Sequence, residues 1–242
     1  HSPNEWFTHR LTGGLDFTDQ EISDYTPRLG ETDAQFFSPE FAAGSKSVRR
    51  EEVLYTTVEY TGTVSLPVTD DFTTNTSGGF QIYQKSIEFM QAEGQGFPAT
   101  GVKTIAGAGT YQRGRDDFVE NNTVGFFIQE QVGGKDRLFF TAAIRADDNS
   151  AFGENFDLVY YPKFSGSWVL SEEDFWTFDW ANSLRLRGAY GESGQQPDAF
   201  AAIRTFSARP DPTGEAAVTP EASGNPELGP ERGKEIEVGF DL

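Results

Sequence analysis

Leu138-Phe139-Phe140-Thr141-Ala142-Ala143-Ile144-Arg145-Ala146-Asp147 is the stretch whose reading decides the fold. Leu138, Phe140, Ala142 and Ile144 fall on one side of an extended chain, and Thr141, Arg145 and Asp147 fall on the other. Successive side chains of a strand point to opposite faces, so period-two alternation over this length predicts a strand with one apolar and one polar face. The same rhythm continues downstream. Phe156, Leu158, Tyr160, Phe164, Trp168 and Leu170 oppose Asp157, Lys163, Ser165 and Ser167, and Leu184, Leu186 and Tyr190 oppose Arg185 and Arg187. Ile236, Val238, Phe240 and Leu242 oppose Glu235, Glu237 and Asp241. Upstream, Val124, Phe126, Ile128 and Val132 alternate with Thr123, Gly125, Gln129 and Gln131. Leu54–Leu66 and Phe7–Phe17 repeat the pattern, and Gly79–Phe89 is a mixed stretch between them. The pattern predicts about eight antiparallel strands and an all-β fold.

Strand length separates two ways of using such a face. Several stretches run to about 10–16 residues, whereas soluble strands average about 5–6 and a tilted strand needs about 9–11 to cross a bilayer. Aromatic residues gather towards the strand ends, at Trp6, Phe7 and Phe17, at Phe139 and Phe140, at Tyr160 and Tyr161, and at Trp168. That placement suits the aromatic girdles of a transmembrane barrel. The connections run from 18–47 (long), 67–71 (short), 92–115 (long) and 133–136 (short) to 148–155 and 171–182 (medium) and 193–232 (long). Long and short connections alternate in outer-membrane barrels, with the long loops outside and the tight turns in the periplasm. Gly133-Gly134-Lys135-Asp136 has the composition of a hairpin turn. No sequence boundary divides the chain into two domains, so residues 1–242 read as one antiparallel transmembrane β-barrel segment. The competing reading of the same alternation is a soluble β-sandwich that serves as a binding module.

Composition narrows the functional classes. Lys and Arg total 19 against 38 Asp and Glu, for a net charge of −19. Nucleic acid is excluded as a partner, because binding it depends on neutralising phosphates with basic groups. There is no cysteine and there are two histidines, His1 and His9, so no disulfide framework and no Cys/His metal centre can be built. Phe accounts for 22 residues against a single Met, and no apolar run reaches the roughly 20 residues of a membrane-spanning helix. The first residues carry no signal-peptide pattern.

Four motifs in order over residues 121–242 carry a resemblance. Arg145-Ala146-Asp147-Asp148-Asn149-Ser150-Ala151-Phe152-Gly153 comes first, followed by Tyr161-Pro162, Ser165, Trp168 and Leu170-Ser171-Glu172-Glu173-Asp174-Phe175. Then come Leu184–Gly191 with Ser193-Gly194-Gln195-Gln196-Pro197, and finally Gly224-Asn225-Pro226-Glu227-Leu228-Gly229-Pro230-Glu231-Arg232. Together they resemble the TonB-dependent outer-membrane transporters of the SusC/RagA type, with residues 1–120 matching more loosely. The resemblance implies a barrel of roughly 22 strands closed by a plug, in the bacterial outer membrane. It further implies TonB-driven import of large nutrients, of glycan or peptide class, with a surface lipoprotein as partner. On that comparison the chain is a middle-to-late stretch of barrel wall, without the plug and without the terminal aromatic strand. Its partners would be the remaining strands, the plug and the surrounding lipid. A partial barrel docked on other chains as a structural subunit is the alternative.

Candidate site residues follow from the polar face. Arg145, Lys163, Arg185, Arg187, Glu235 and Glu237 are expected to face the lumen, since an arginine or lysine facing lipid costs about 2–4 kcal/mol at the bilayer midplane. The loops 18–47, 92–115 and 193–232 are the better places for ligand contact, as barrel specificity resides on loops. Asp147-Asp148-Asn149-Ser150 with Glu154 offers oxygen ligands for Ca²⁺ but lacks the EF-hand glycine and terminal glutamate, and reads as a structural turn. Glu172-Glu173-Asp174 reads as a solvated cap, Ser193-Gly194 is no nucleophile elbow, and Gly107-Ala108-Gly109 lacks the rest of a dinucleotide fingerprint. No catalytic residue, cofactor site or metal site is assigned, and no enzymatic activity is expected.

Overall fold

The computed structural model describes residues 4–109, 111–153, 158–178, 182–210, 213 and 215–242. Eight strands form one sheet in the order β1-β2-β3-β4-β5-β6-β7-β10, and β8 and β9 form a separate two-stranded sheet. The strands are β1 (Phe7–Thr26), β2 (Ser45–Thr69), β3 (Phe72–Gln95), β4 (Tyr111–Gly134), β5 (Leu138–Asn149), β6 (Val159–Val169), β7 (Arg185–Gln195), β8 (Thr205–Pro210), β9 (Ala216–Ala222) and β10 (Glu231–Asp241). All eight expected strands are present, the mixed stretch at Gly79–Phe89 included. Sequence neighbours pair throughout the large sheet, except that β10 pairs with β7 across the inserted β8–β9 hairpin.

Several boundaries differ from the sequence expectation. β1 continues to Thr26 and β2 begins at Ser45, so the first connection is 27–44 and not 18–47. β3 reaches Gln95 and β4 starts at Tyr111, which shortens the 92–115 connection. These extensions are missing from the alternation because they are mostly polar, with only isolated apolar residues such as Ile22, Met90 and Phe118, and Asp16–Asp24 is exposed at every residue. Backbone pairing, which carries no sequence signal, continues there without an apolar stripe. The connection 193–232 contains the β8–β9 hairpin, which its Gly, Pro and acidic content concealed. Leu170 lies in a single 3₁₀ turn beyond β6, and Phe156 and Asp157 fall outside the described residues.

Two compact units share these strands. One comprises 1–14, 57–83 and 121–242, and the other 15–56 and 84–120. No sequence boundary marks them, because β1 to β4 each contribute residues to both.

In the larger unit the tight turns are short. Asp70-Asp71 alone joins β2 to β3, with the Asp71 N–H donating to Thr69 Oγ1 at 3.3 Å. The β4–β5 connection is the expected hairpin, with its turn shifted to Lys135–Arg137. Lys135 (φ 50°) and Asp136 (φ 56°) take the left-handed positions, while Gly133 and Gly134 end the strand. These glycines provide space: a Cβ at Gly133 would meet Thr73 Oγ1 at 3.0 Å, and one at Gly134 would meet the Phe72 ring at 3.0 Å. At the next turn Glu173 accepts from Trp168 Nε1 at 2.9 Å and pairs with Arg137 at 3.2 Å, tying the ends of β5 and β6 to the turn that follows.

The opposite ends of these strands carry a polar knot. Asn149, 4% exposed, donates to Asn121 Oδ1 (2.8 Å) and Thr123 Oγ1 (2.7 Å) and accepts from the Ala151 N–H (2.7 Å). Gln196 donates to the same Thr123 hydroxyl at 2.9 Å. The Gly153 N–H donates to the Leu228 carbonyl at 3.0 Å, which seats the Gly224–Arg232 motif on the Arg145–Gly153 motif. Buried groups this fully paired act as a rigid fastening.

The smaller unit is organised by Phe97, which is fully buried. The segment between β1 and β2 holds two single-turn helices, α1 (Glu31–Ala34) and α2 (Pro39–Ala42). Ser38 caps α2, accepting from the Phe41 N–H at 3.4 Å. Gly44, at φ 74°, closes this segment where any Cβ would strike the backbone of Arg28 at 2.6 Å. The segment after β3 zips onto it: Gly96 N–H donates to Gly44 O and Phe97 N–H to Ala43 O, both at 3.0 Å. Arg28 Nη1 donates to Phe97 O at 2.7 Å and the Tyr25 hydroxyl to Val102 O at 3.1 Å.

Candidate functional site: the polar face of the sheet

Register fixes which side chains share a face. Glu130, Ala142, Phe164, Tyr190 and Ile236 lie in one row across β4, β5, β6, β7 and β10, and Gln129, Ala143, Lys163, Gly191 and Glu235 lie in the adjacent row. Directly opposed residues point the same way and the next residue points away. One face therefore carries Phe126, Ile128, Phe140, Ile144, Phe164, Leu186, Ile236, Val238 and Phe240. The other carries all six sequence candidates, Arg145, Lys163, Arg185, Arg187, Glu235 and Glu237.

The apolar face is uncovered. Ile144 is 43% exposed, Phe140 53% and Val238 87%, and among the described residues no second large sheet packs on it. A soluble sandwich buries the inward faces of two sheets against each other, so the sandwich reading fails on this exposure. An apolar face of this extent requires lipid or another apolar medium.

Arg145 lies in a network that spans four strands. Its Nε donates to Asp147 Oδ1 at 2.7 Å, and its Nη2 donates to Gln81 Oε1 at 2.9 Å. Gln81 Nε2 in turn donates to the Glu59 carboxylate. The guanidinium reaches β3 by passing over β4 at Gly125, where a Cβ would collide with Asp147 Oδ1 and Arg145 Nη2. Glu59 opposes the apolar set of its own strand in the sequence, but Gln81 and Gly125 carry no signal that marks them as parts of a site. Gln81 is a polar residue between Phe80 and Ile82 in the least regular strand, and nothing local marks Gly125.

The other candidates form two further groups. Lys163 lines a hollow of about 240 Å³ with Ser193, Glu235 and Glu237. Arg187 faces Asp241 at 3.7 Å, with both side chains more than half exposed, and Arg185 is the register partner of Asp241. Next to them an open cavity of about 710 Å³ is lined by Gln131, Thr141, Ser165, Arg187 and Glu237. Apart from Arg145 the charges are solvated, so the face offers a charged polar wall and no preorganised catalytic constellation.

The acidic motifs take structural roles. Asn149 belongs to the polar knot, Asp147 is held by Arg145, and the Ser150 hydroxyl accepts from the Asn122 N–H at 2.9 Å. Glu154 lies outside the described residues. No group of three or more metal-binding side chains occurs among the described residues. Glu173 is committed to Trp168 and Arg137.

A long-stranded, antiparallel sheet with a polar face and an uncovered apolar face defines a segment of transmembrane β-barrel. The chain matches the family TonB dependent receptor-like, beta-barrel, over residues 1–242, and belongs to it. Among solved structures it is similar to the RagAB peptide transporter, at 16% identity and a TM-score of 0.87, covering 98% of this chain and 26% of that one. The RagAB peptide importer in its closed-closed state gives 16% identity and a TM-score of 0.87, with 99% and 26% covered. In the open-open state the values are 16% and 0.85, with the same coverage. The chain thus spans about a quarter of the chains it resembles. No curated protein matches.

Proposed function

We propose that this chain forms part of the wall of an outer-membrane transporter that imports large nutrients of glycan or peptide class. Its polar face lines the lumen. Arg145, Lys163, Arg185, Arg187, Glu235 and Glu237 then border the path between plug and wall, and Ile144, Phe164 and Val238 contact lipid. The observation that carries this reading is the segregation of all six candidate charges onto one face of a sheet whose other face is predominantly apolar and exposed, in a chain matched to the receptor-barrel family over its whole length. Likeness to peptide transporters favours peptides within the nutrient class, and the family supplies the partners: a plug, TonB and a surface lipoprotein. The short turns at Asp70-Asp71 and Lys135–Arg137 face the periplasm and the longer connections face outward.

The chain contains no cysteine, so single cysteines introduced here, in the complete transporter with any thiols outside this segment replaced by serine, test the assignment within its membrane. Thiols at Thr141, Ser165 and Ala189 are expected to react with a small hydrophilic maleimide. Thiols at Ile144, Phe164 and Val238 should be silent to it and should report a lipid-borne quencher when carrying a fluorophore. The reverse pattern would overturn the assignment. Loss of peptide uptake on deletion of the complete gene, with no loss of oligosaccharide uptake, would select peptides as the substrate class.

A further inference from the structure

We propose that Arg232 and Lys234 form a binding site for the phosphate of an outer-leaflet lipid headgroup, an inference that rests on the membrane orientation argued above. Register places both on the apolar face of β10, in line with Ile236, Val238 and Phe240. That face is apolar from Phe240 to Ile236 and turns cationic at Lys234, on the side where the long connection 196–230 joins β7 to β10. Across the ladder on β7 the same change falls between Tyr190 and Glu192. Tyr190, beside Phe164 with ring centroids 6.5 Å apart, occupies the level of an interfacial aromatic. The two cations therefore stand one step beyond the apolar belt, at headgroup height.

Charge favours an anion there. Lys234 Nζ lies 3.5 Å and Arg232 Nη1 3.8 Å from the same Glu192 carboxylate. Glu192 also accepts from the Tyr190 hydroxyl at 2.6 Å, and its side chain is only 10% exposed. One carboxylate thus faces two cations, leaving a surplus positive charge in a chain whose net charge is −19. Both contacts are long for charge-assisted hydrogen bonds, and the Arg232 and Lys234 side chains are 49% and 66% exposed. A phosphate seated outside Glu192 could take the unused donors of both, a guanidinium fork and an ammonium. Acyl chains attached to it would run down the exposed Ile236–Phe240 stripe. The combination of a cationic pair above an apolar stripe fits a phosphorylated lipid better than a free anion.

The complete transporter, extracted in detergent and checked for a folded barrel by its altered electrophoretic mobility on heating, is mixed with lipid A or with its dephosphorylated form and examined by native mass spectrometry. Lipid A should be retained over the dephosphorylated lipid, and the R232Q/K234Q variant should lose retention by about 10- to 30-fold, from the membrane-surface attraction of each basic side chain. K163Q, which removes a cation from the opposite face of the same sheet, should retain lipid A fully. Equal retention of the two lipids, or of lipid A by the double variant, overturns the site. Displacement of lipid A by millimolar inorganic phosphate reduces it to a simple anion site and overturns the lipid assignment. A transporter recovered without detergent would defeat the membrane reading itself, a result separate from these.

Discussion

Gly153 and Gly125 both exclude a side chain, but they should tolerate one unequally. At Gly153 a Cβ would strike the Pro226 carbonyl, with the Pro226 carbonyl carbon at 2.6 Å and the Leu228 nitrogen at 3.2 Å. Those are backbone atoms of a segment already held by the Gly153–Leu228 hydrogen bond, so the segment must move. At Gly125 the collisions are with the ends of Arg145 and Asp147, which can rotate aside. Gly153→Ala is expected to cost about 1–3 kcal/mol, the range for forcing an extra methyl into a packed site. Gly125→Ala should cost less while breaking the Arg145–Gln81 contact. Urea unfolding of the two variants in lipid vesicles, followed by tryptophan fluorescence, gives the order, and a larger loss at Gly125 would refute it. Each motif is legible in the sequence as a cluster of turn residues. That Gly153 receives Pro226 and Leu228 is not, because the contact joins segments more than 70 residues apart and leaves no periodic trace.

The strands show where alternation works as a signal and where it stops. β5 and β10 are legible because one face meets an apolar medium and the other a polar one. The outer parts of β1 to β4 lose the pattern because their apolar residues, such as Ile22, Met90 and Phe118, are isolated and form no continuous stripe, yet pairing persists. In the smaller unit order is therefore carried by one residue that periodicity could not single out. Phe97 stands between Gly96 and Pro98, in a stretch that reads as loop, but it is completely buried beneath the paired segments 27–44 and 96–109. Phe97→Ala removes that anchor at about 3–5 kcal/mol of local stability. Hydrogen exchange should accelerate at Gly96 and at residue 97, whose N–H groups make the cross-segment bonds, and at Leu29 and Gly109, whose N–H groups close each segment on itself. Exchange at Asn149 to Gly153 should remain slow. Acceleration spread equally over both sets would mean that the segments are not a separately anchored element.

At the scale of the molecule the sheet is open: β1 and β10 lie at its two ends and each has a single sheet neighbour among the described residues. Unpaired backbone groups cost several kcal/mol each in hydrocarbon, so both edges must find strands. They could find each other, which would make an eight-stranded barrel, or they could pair with strands of a larger one. An eight-stranded barrel has an interior just wide enough to be filled by its own side chains. This polar face instead carries Lys163, Arg185, Arg187 and Glu237 around open cavities, and the Arg187–Asp241 pair is largely solvated. The larger barrel fits that wall, and it agrees with the 26% of the RagAB chain that this segment covers. Cysteine pairs distinguish the closures, since this segment contributes no native thiol and any outside it can first be replaced by serine. In the complete transporter, cysteines at Ala189 and Glu237, which are register partners on β7 and β10, should cross-link under mild oxidation. Cysteines on β1, scanned from Thr8 to Asp16, should give no intramolecular link to one at Glu237, because other strands stand between them. A link from β1 to β10 formed as readily as the β7–β10 control would place the two edges together and close the barrel at eight strands.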